Sequence, residues 1–152
     1  MRLPDATIDR LLESWPVARL ATVGPDRTPH LVPVVFARVG GLLWSPIDGK
    51  PKTGRTLARV THLRDTPRAS LLLDHYDDDW MLLWWIRVDG AAAVVSPRGP
   101  VESDREAGPA AAALRAKYPQ YASTPLFRDE PTLIRVRITA IRSWRASPSA
   151  AS

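Results

Sequence analysis

Cysteine is absent from the 152 residues, which removes disulfides, thiol nucleophiles and cysteine-ligated metals together. Long apolar runs are absent too. The best candidate, MLLWWIRV, is cut by Arg87 and falls far short of the roughly 20 residues of a membrane span. No GxGxxG follows a strand-like run and strands do not alternate with helices, which disfavours a Rossmann-type fold. GxSxG, an obvious Ser/His/Asp set and a carboxylate pair in a buried context are all missing, so no catalytic residue can be named. If the protein is an enzyme, a bound cofactor carries the chemistry. The opening MRLPDATIDRLLES mixes acids among its apolar residues and lacks the hydrophobic core and cleavage site of a secretory signal, so a cytoplasmic protein is expected.

Hydrophobic residues make up 45% of the chain, and its length suits one globular domain with a real core. We expect that domain over residues 2–146, with a small, polar, disordered tail at 147–152. The formal charge of +5 favours an anionic partner, whether nucleic acid, anionic lipid or a phosphorylated small molecule. Most of the excess is arginine spread along the chain, the pattern of a solvated surface more than of a nucleic-acid face.

In PDATIDRLLESW, Ile8, Leu11, Leu12 and Trp15 recur at helical spacing and predict a short amphipathic helix. Three strand-like runs follow, divided by GPDRT and by Gly40-Gly41, the punctuation of an antiparallel meander. TLARVTHLRDT predicts a helix with Leu57, Val60 and Thr61 on one face, ended by Pro67. Met81 to Ile86 is apolar throughout and reads as part of a strand covered on both faces. Ser103 and Glu106 have capping-box spacing, with a break expected at Gly108-Pro109. TLIRVRITAIRSW alternates Ile134, Val136 and Ile138 against Leu133, Arg135, Arg137 and Thr139, a half-buried strand. The whole predicts a mainly β (α+β) fold, a six-stranded antiparallel split barrel with a few short flanking helices.

The stretch IDGKPKTGRTL concentrates positive charge on a turn. It is not a Walker motif, because Trp44 and Pro51 stand where glycine and serine or threonine are required. Pro51 biases Lys50 toward extended backbone, in which Lys50 and Lys52 project to the same side. They can bracket one anion, with Thr53 close behind and Arg55 for a second negative group, or the turn can simply be solvated. His30, His62 and His75 show no ligand spacing, and DHYDDD lacks the Gly and Glu of a calcium loop, so no metal is expected. Trp84 and Trp85 are consecutive and must face opposite ways on a strand. Core packing, a dimer interface and stacking on a cofactor ring are the uses open to them.

The ordered set ARLATVGPDRTPHLVPVVF, LLWSPIDGKPK, RASLLLDHY, WIRVDGAAAVV and LIRVRITAIRSW resembles the pyridoxamine 5′-phosphate oxidase-like split-barrel family. Within it the sequence is most similar to the actinobacterial branch that uses the deazaflavin coenzyme F420 in place of FMN. The resemblance implies a homodimer with two cofactors in grooves at its interface. It places the ring against the second strand, here Leu31 to Phe36 with Val32, Pro33, Val34 and Val35. It assigns the phosphate to Ser45, Lys50, Lys52 and Thr53, and lets the Trp84/Trp85 strand of a partner close the site. FMN-using members commonly carry adjacent Arg-Lys in the basic turn and basic residues on the second strand, whereas VPVVF is apolar. That favours the deazaflavin, with Arg55, Arg59 or Arg38 meeting the carboxylates of its tail. The implied activity is hydride transfer between the reduced deazaflavin and an electron-poor small molecule. The alternatives are an FMN- or haem/tetrapyrrole-binding split barrel without that reaction, and a basic nucleic-acid binder.

Overall fold

The structure is a computed structural model of the chain, described for residues 1–47 and 56–152. Helix α1 (Asp5–Ser14) buries Ile8, Leu11 and Leu12, the stripe its spacing predicts. Seven strands follow: β1 (Ala18–Val23), β2 (Pro29–Val34), β3 (Ala37–Val39), β4 (Leu42–Pro46), β5 (Arg68–His75), β6 (Trp84–Val95) and β7 (Leu133–Arg145). They form one antiparallel sheet in the order β2-β1-β5-β6-β7-β4-β3, a split barrel with α2 (Ala58–Asp65) and α3 (Ala107–Lys117) beside it.

Seven strands stand where six were expected because the run HLVPVVFARV is cut in two. β2 pairs with β1 and β3 with β4, so its halves lie on opposite edges of the sheet and Val35-Phe36 carries the chain between them. Pro29 and Pro33, which cannot donate to a ladder, sit on the edge strand β2, where the missing N–H costs nothing.

Five other expectations need correction. The apolar run does not enter its strand at Met81: Asp79 accepts a hydrogen bond from the Met81 N–H at 3.0 Å and caps a 3₁₀ turn over Trp80–Leu82. Trp80 and Met81 are consequently 69% and 57% exposed, and β6 starts at Trp84. In α2 it is Val60 and Leu63 that are buried, while Thr61 faces solvent. Asp104, not Ser103, receives the N–H groups of Glu106 and Ala107, at 3.0 and 2.8 Å. Gly108-Pro109 is no break, since both lie in the first turn of α3, where a proline N–H has no helical partner to lose. The tail is docked rather than disordered. Ser147 donates to the Met81 carbonyl at 2.7 Å, Arg10 donates to the Ala151 carbonyl, and Ala150 is 1% exposed within the core.

Two apolar clusters hold the fold. One fills the inner face of the sheet beneath α1, with Leu12, Leu20, Phe36, Leu71, Ile86 and Val88. The other lies on the outer face beneath α3, where Ala37, Trp44 and Leu133 meet Ala110, Ala111 and Leu114. Helix α3 covers only one end of the outer face. At the other end Leu31, Leu72, Trp85 and Trp144 border an open groove of about 570 Å³. Among the described residues, no helix is long and apolar enough to cross a membrane.

Candidate functional site

The barrel splits where β2 leaves β1. A cleft of about 220 Å³ opens there, lined by Val17, Pro33, Val34, Val35, Ser45, Pro46 and Arg59. Strand alternation sets the side that Ser45 faces. Ser45 is paired with Ile134 in the ladder and shares its inward side, while Trp44 and Pro46 on either side belong with the outer face. Ser45 is 4% exposed, and its Oγ has no hydrogen-bond partner among the described residues. An orphaned buried hydroxyl forfeits about 1–3 kcal/mol, so its presence in an otherwise apolar cleft wall suits a ligand acceptor better than it suits packing. Arg59 brings a permanent positive charge to the same cleft from the first turn of α2.

Of the residues the sequence put forward, Pro33, Val34, Val35 and Ser45 come together here. Val32 does not: it packs against the inner core on the same side of β2 as Val34, but a strand repeat earlier and outside the cleft lining. Lys50, Lys52, Thr53 and Arg55 lie outside the described residues; Pro46 and Arg59, on either side of that segment, both line the cleft. Arg38 is engaged elsewhere, donating to Asp9 at 2.7 Å and to the Gly40 carbonyl at 2.9 Å, which leaves Arg59 as the arginine at the cleft among those two. Trp84 and Trp85 face opposite ways as expected, but within one chain neither reaches the cleft. Trp84 packs edge-on against Trp15 with ring centres 4.7 Å apart, and Trp85 lines the outer groove with Trp144.

Val17 and Pro46 had no signal of their own, since one precedes β1 and the other ends β4, and strand ends are fixed poorly by sequence. The histidines also group in a way the spacing did not show. His62 lies 3.0 Å from the Thr22 hydroxyl and His30 is edge-on to it at 5.2 Å between ring centres, whereas His75 is near Trp84 at the far end of β5.

The chain matches the pyridoxamine 5′-phosphate oxidase family over residues 4–145, and it belongs to that family. Among curated proteins, none matches it in sequence. Solved structures with the same fold include a conserved hypothetical protein of Mycobacterium tuberculosis, 22% identical, with a TM-score of 0.69 over 95% of this chain and 86% of that one. An F420 reductase is 23% identical, with a TM-score of 0.63 over 91% of this chain and 98% of its own. The haem storage protein HutZ of Vibrio cholerae is 14% identical, with a TM-score of 0.69 over 93% and 94%.

Proposed function

We propose that the protein is an oxidoreductase that binds the deazaflavin coenzyme F420 and transfers hydride between its reduced form and an electron-poor small molecule. The observation that carries this reading is the cleft itself: an apolar wall, Pro33-Val34-Val35, together with a buried Ser45 hydroxyl that has no partner among the described residues, and Arg59 at the same site. The wall suits a flat ring, and the hydroxyl and the guanidinium suit a phosphate or carboxylate. The F420 reductase among the structures of this fold supports the choice of ring.

The residues present fit such a cofactor in part. A cleft of about 220 Å³ is below the roughly 300–1,000 Å³ of a full ligand site, so it takes one portion of the molecule. The remainder of the molecule lies beyond this cleft, toward a partner chain in this reading. When bound, the deazaflavin supplies two-electron hydride chemistry. The protein's share is to anchor the anionic group through Ser45 and the basic residues, to lay the ring flat on backbone and apolar side chains, and to keep water off its reacting face.

The partner in this reading is a second copy. The open groove of about 570 Å³ exposes Leu31 (64%) and Trp144 (38%) beside Leu72 and Trp85, and a partner covering it would bury these apolar side chains. In this reading the partner's Trp84/Trp85 strand closes the cofactor site. Nucleic acid is a poorer fit, because Arg19, Arg38, Arg87, Arg135 and Arg142 are each ion-paired with an aspartate or glutamate.

Titrating the protein side by side with coenzyme F420 and with FMN, following tryptophan fluorescence, tests the reading. Tighter binding of the deazaflavin is expected. Tighter binding of FMN overturns it, and a protein that purifies red points to the haem-binding alternative.

A further inference from the structure

Continuing the β1/β2 register by two residues would pair Pro16 with Phe36, since Ala18 faces Val34. That pair does not form. Instead the hydroxyl of Tyr118, at the end of α3, stands between the two strands: it accepts from the Phe36 N–H at 3.0 Å and lies 2.8 Å from the Pro16 carbonyl and 3.0 Å from the Phe36 carbonyl, donating its one proton to either. Pro16 has no N–H, so the Phe36 carbonyl could not have been satisfied by a ladder bond from it. One side-chain oxygen thereby serves three backbone groups at the point where β2 leaves β1. Val17 and Val35, immediately inside the wedge, are walls of the cleft.

We propose that Tyr118 is a positioning residue whose hydroxyl holds β1 and β2 apart at Pro16/Phe36 and so sets the gap between Val17 and Val35 in which the ring sits. Burial pushes the phenol up to about 12, with Tyr121 adding to the effect, so the proton that makes the wedge is kept through the physiological range. Tyr118 is 6% exposed, its ring belongs to the cluster beneath α3, it does not line the cleft, and its hydroxyl is engaged by the backbone of Pro16 and Phe36. Its influence on the cleft therefore passes through the backbone of residues 16 and 36. The part of the proposal that concerns ligand binding rests on the function proposed above; the part that concerns the wedge does not.

Tyr118→Phe keeps the ring and removes the wedge. Residue-resolved amide hydrogen exchange on the parent should show Phe36 protected to the level of amides in the β5–β6 ladder, although it has no strand partner. In Tyr118→Phe the Phe36 amide should exchange roughly tenfold faster, the equivalent of one lost hydrogen bond, while the ladder amides keep their rates. Affinity for coenzyme F420 should fall roughly five- to tenfold, and Leu126→Ala, a packing change in the same cluster, should leave it unaltered. A fast Phe36 amide in the parent overturns the wedge without any variant having to fold. So does an unchanged Phe36 rate in Tyr118→Phe, or an acceleration spread over the whole sheet as in Leu126→Ala. A changed Phe36 rate with unchanged affinity overturns the positioning role. If the parent binds neither coenzyme F420 nor FMN, the proposed function fails, and the exchange rates alone decide the wedge.

Discussion

Lys117 holds its ammonium nitrogen 3.6 Å from the centre of the Phe36 ring and 5.5 Å from that of Tyr118. The nitrogen is buried with no hydrogen-bond partner among the described residues. The ring faces favour the charge by about 0.5–2 kcal/mol, but the lost hydration costs more. Burial accordingly pulls the Lys117 amine down to about 8, with Glu13 pulling the other way.

A pH signature follows. In the folded state Lys117 releases its proton near pH 8, and in the unfolded chain near 10.5. Between those values the unfolded state binds more protons, so stability rises with pH through that window, and below about pH 8 the full cost of the buried charge is present. Lys117→Met should raise stability at pH 7 by about 1 kcal/mol, a figure discounted because part of the side chain stays in water. It should also flatten stability between pH 8 and 10. Urea midpoints at pH 7, 8, 9 and 10 give the comparison, and a variant that is less stable than the parent at pH 7 counts against the argument.

Ser45→Ala separates binding from folding. Removing a buried hydroxyl that has no partner among the described residues should leave the unfolding midpoint unchanged or slightly raised, while the affinity for coenzyme F420 drops by roughly tenfold, as for a hydrogen bond to a charged group. Lys50→Ala and Lys52→Ala should each cost roughly 1.5–3 kcal/mol of binding, again with the fold intact. Parallel titration and thermal melts read both quantities; equal affinity in all three variants dismantles the phosphate assignment.

Trp85→Glu and Leu31→Glu place a carboxylate on the open outer face, where neither residue is needed for the single-chain core. Each should shift the protein from dimer to monomer in sedimentation velocity. Each should also weaken cofactor binding if a partner completes the site. A parent that sediments as a monomer at high concentration removes the basis of this prediction.

Gly90 marks a different constraint. At the register shift between Asp89 and Gly90 a Cβ would come within 2.5 Å of both the Arg137 carbonyl oxygen and a Val136 methyl. Gly90→Ala should therefore cost about 1–3 kcal/mol in urea denaturation, because the obstacle includes backbone and cannot swing aside. The same substitution at Gly41, where nothing lies within 4 Å, should change little.

Periodic features were legible in the sequence. The apolar stripe of α1, the alternation of β7 and the opposite facing of Trp84 and Trp85 all follow from spacing, because each is a local property of the chain. Features decided by a neighbour were not. One Asp79 carboxylate turned an apolar run into a 3₁₀ turn, and Asp104 took the cap that Ser103 was expected to provide. At the cleft, Pro33, Val34, Val35 and Ser45 were reachable through the order of the motifs. Tyr118 was not: its partners Phe36 and Pro16 are 82 and 102 residues away, and no local pattern distinguishes it from a tyrosine that ends a helix.

The two edges of the sheet are the two halves of one run, and only Val35 and Phe36 separate them. Three successive Cα–Cα steps of about 3.8 Å limit the distance from Val34 to Ala37 to about 11 Å, however the barrel moves. The split is thus tied shut at one corner like the spine of a book and can widen only away from it.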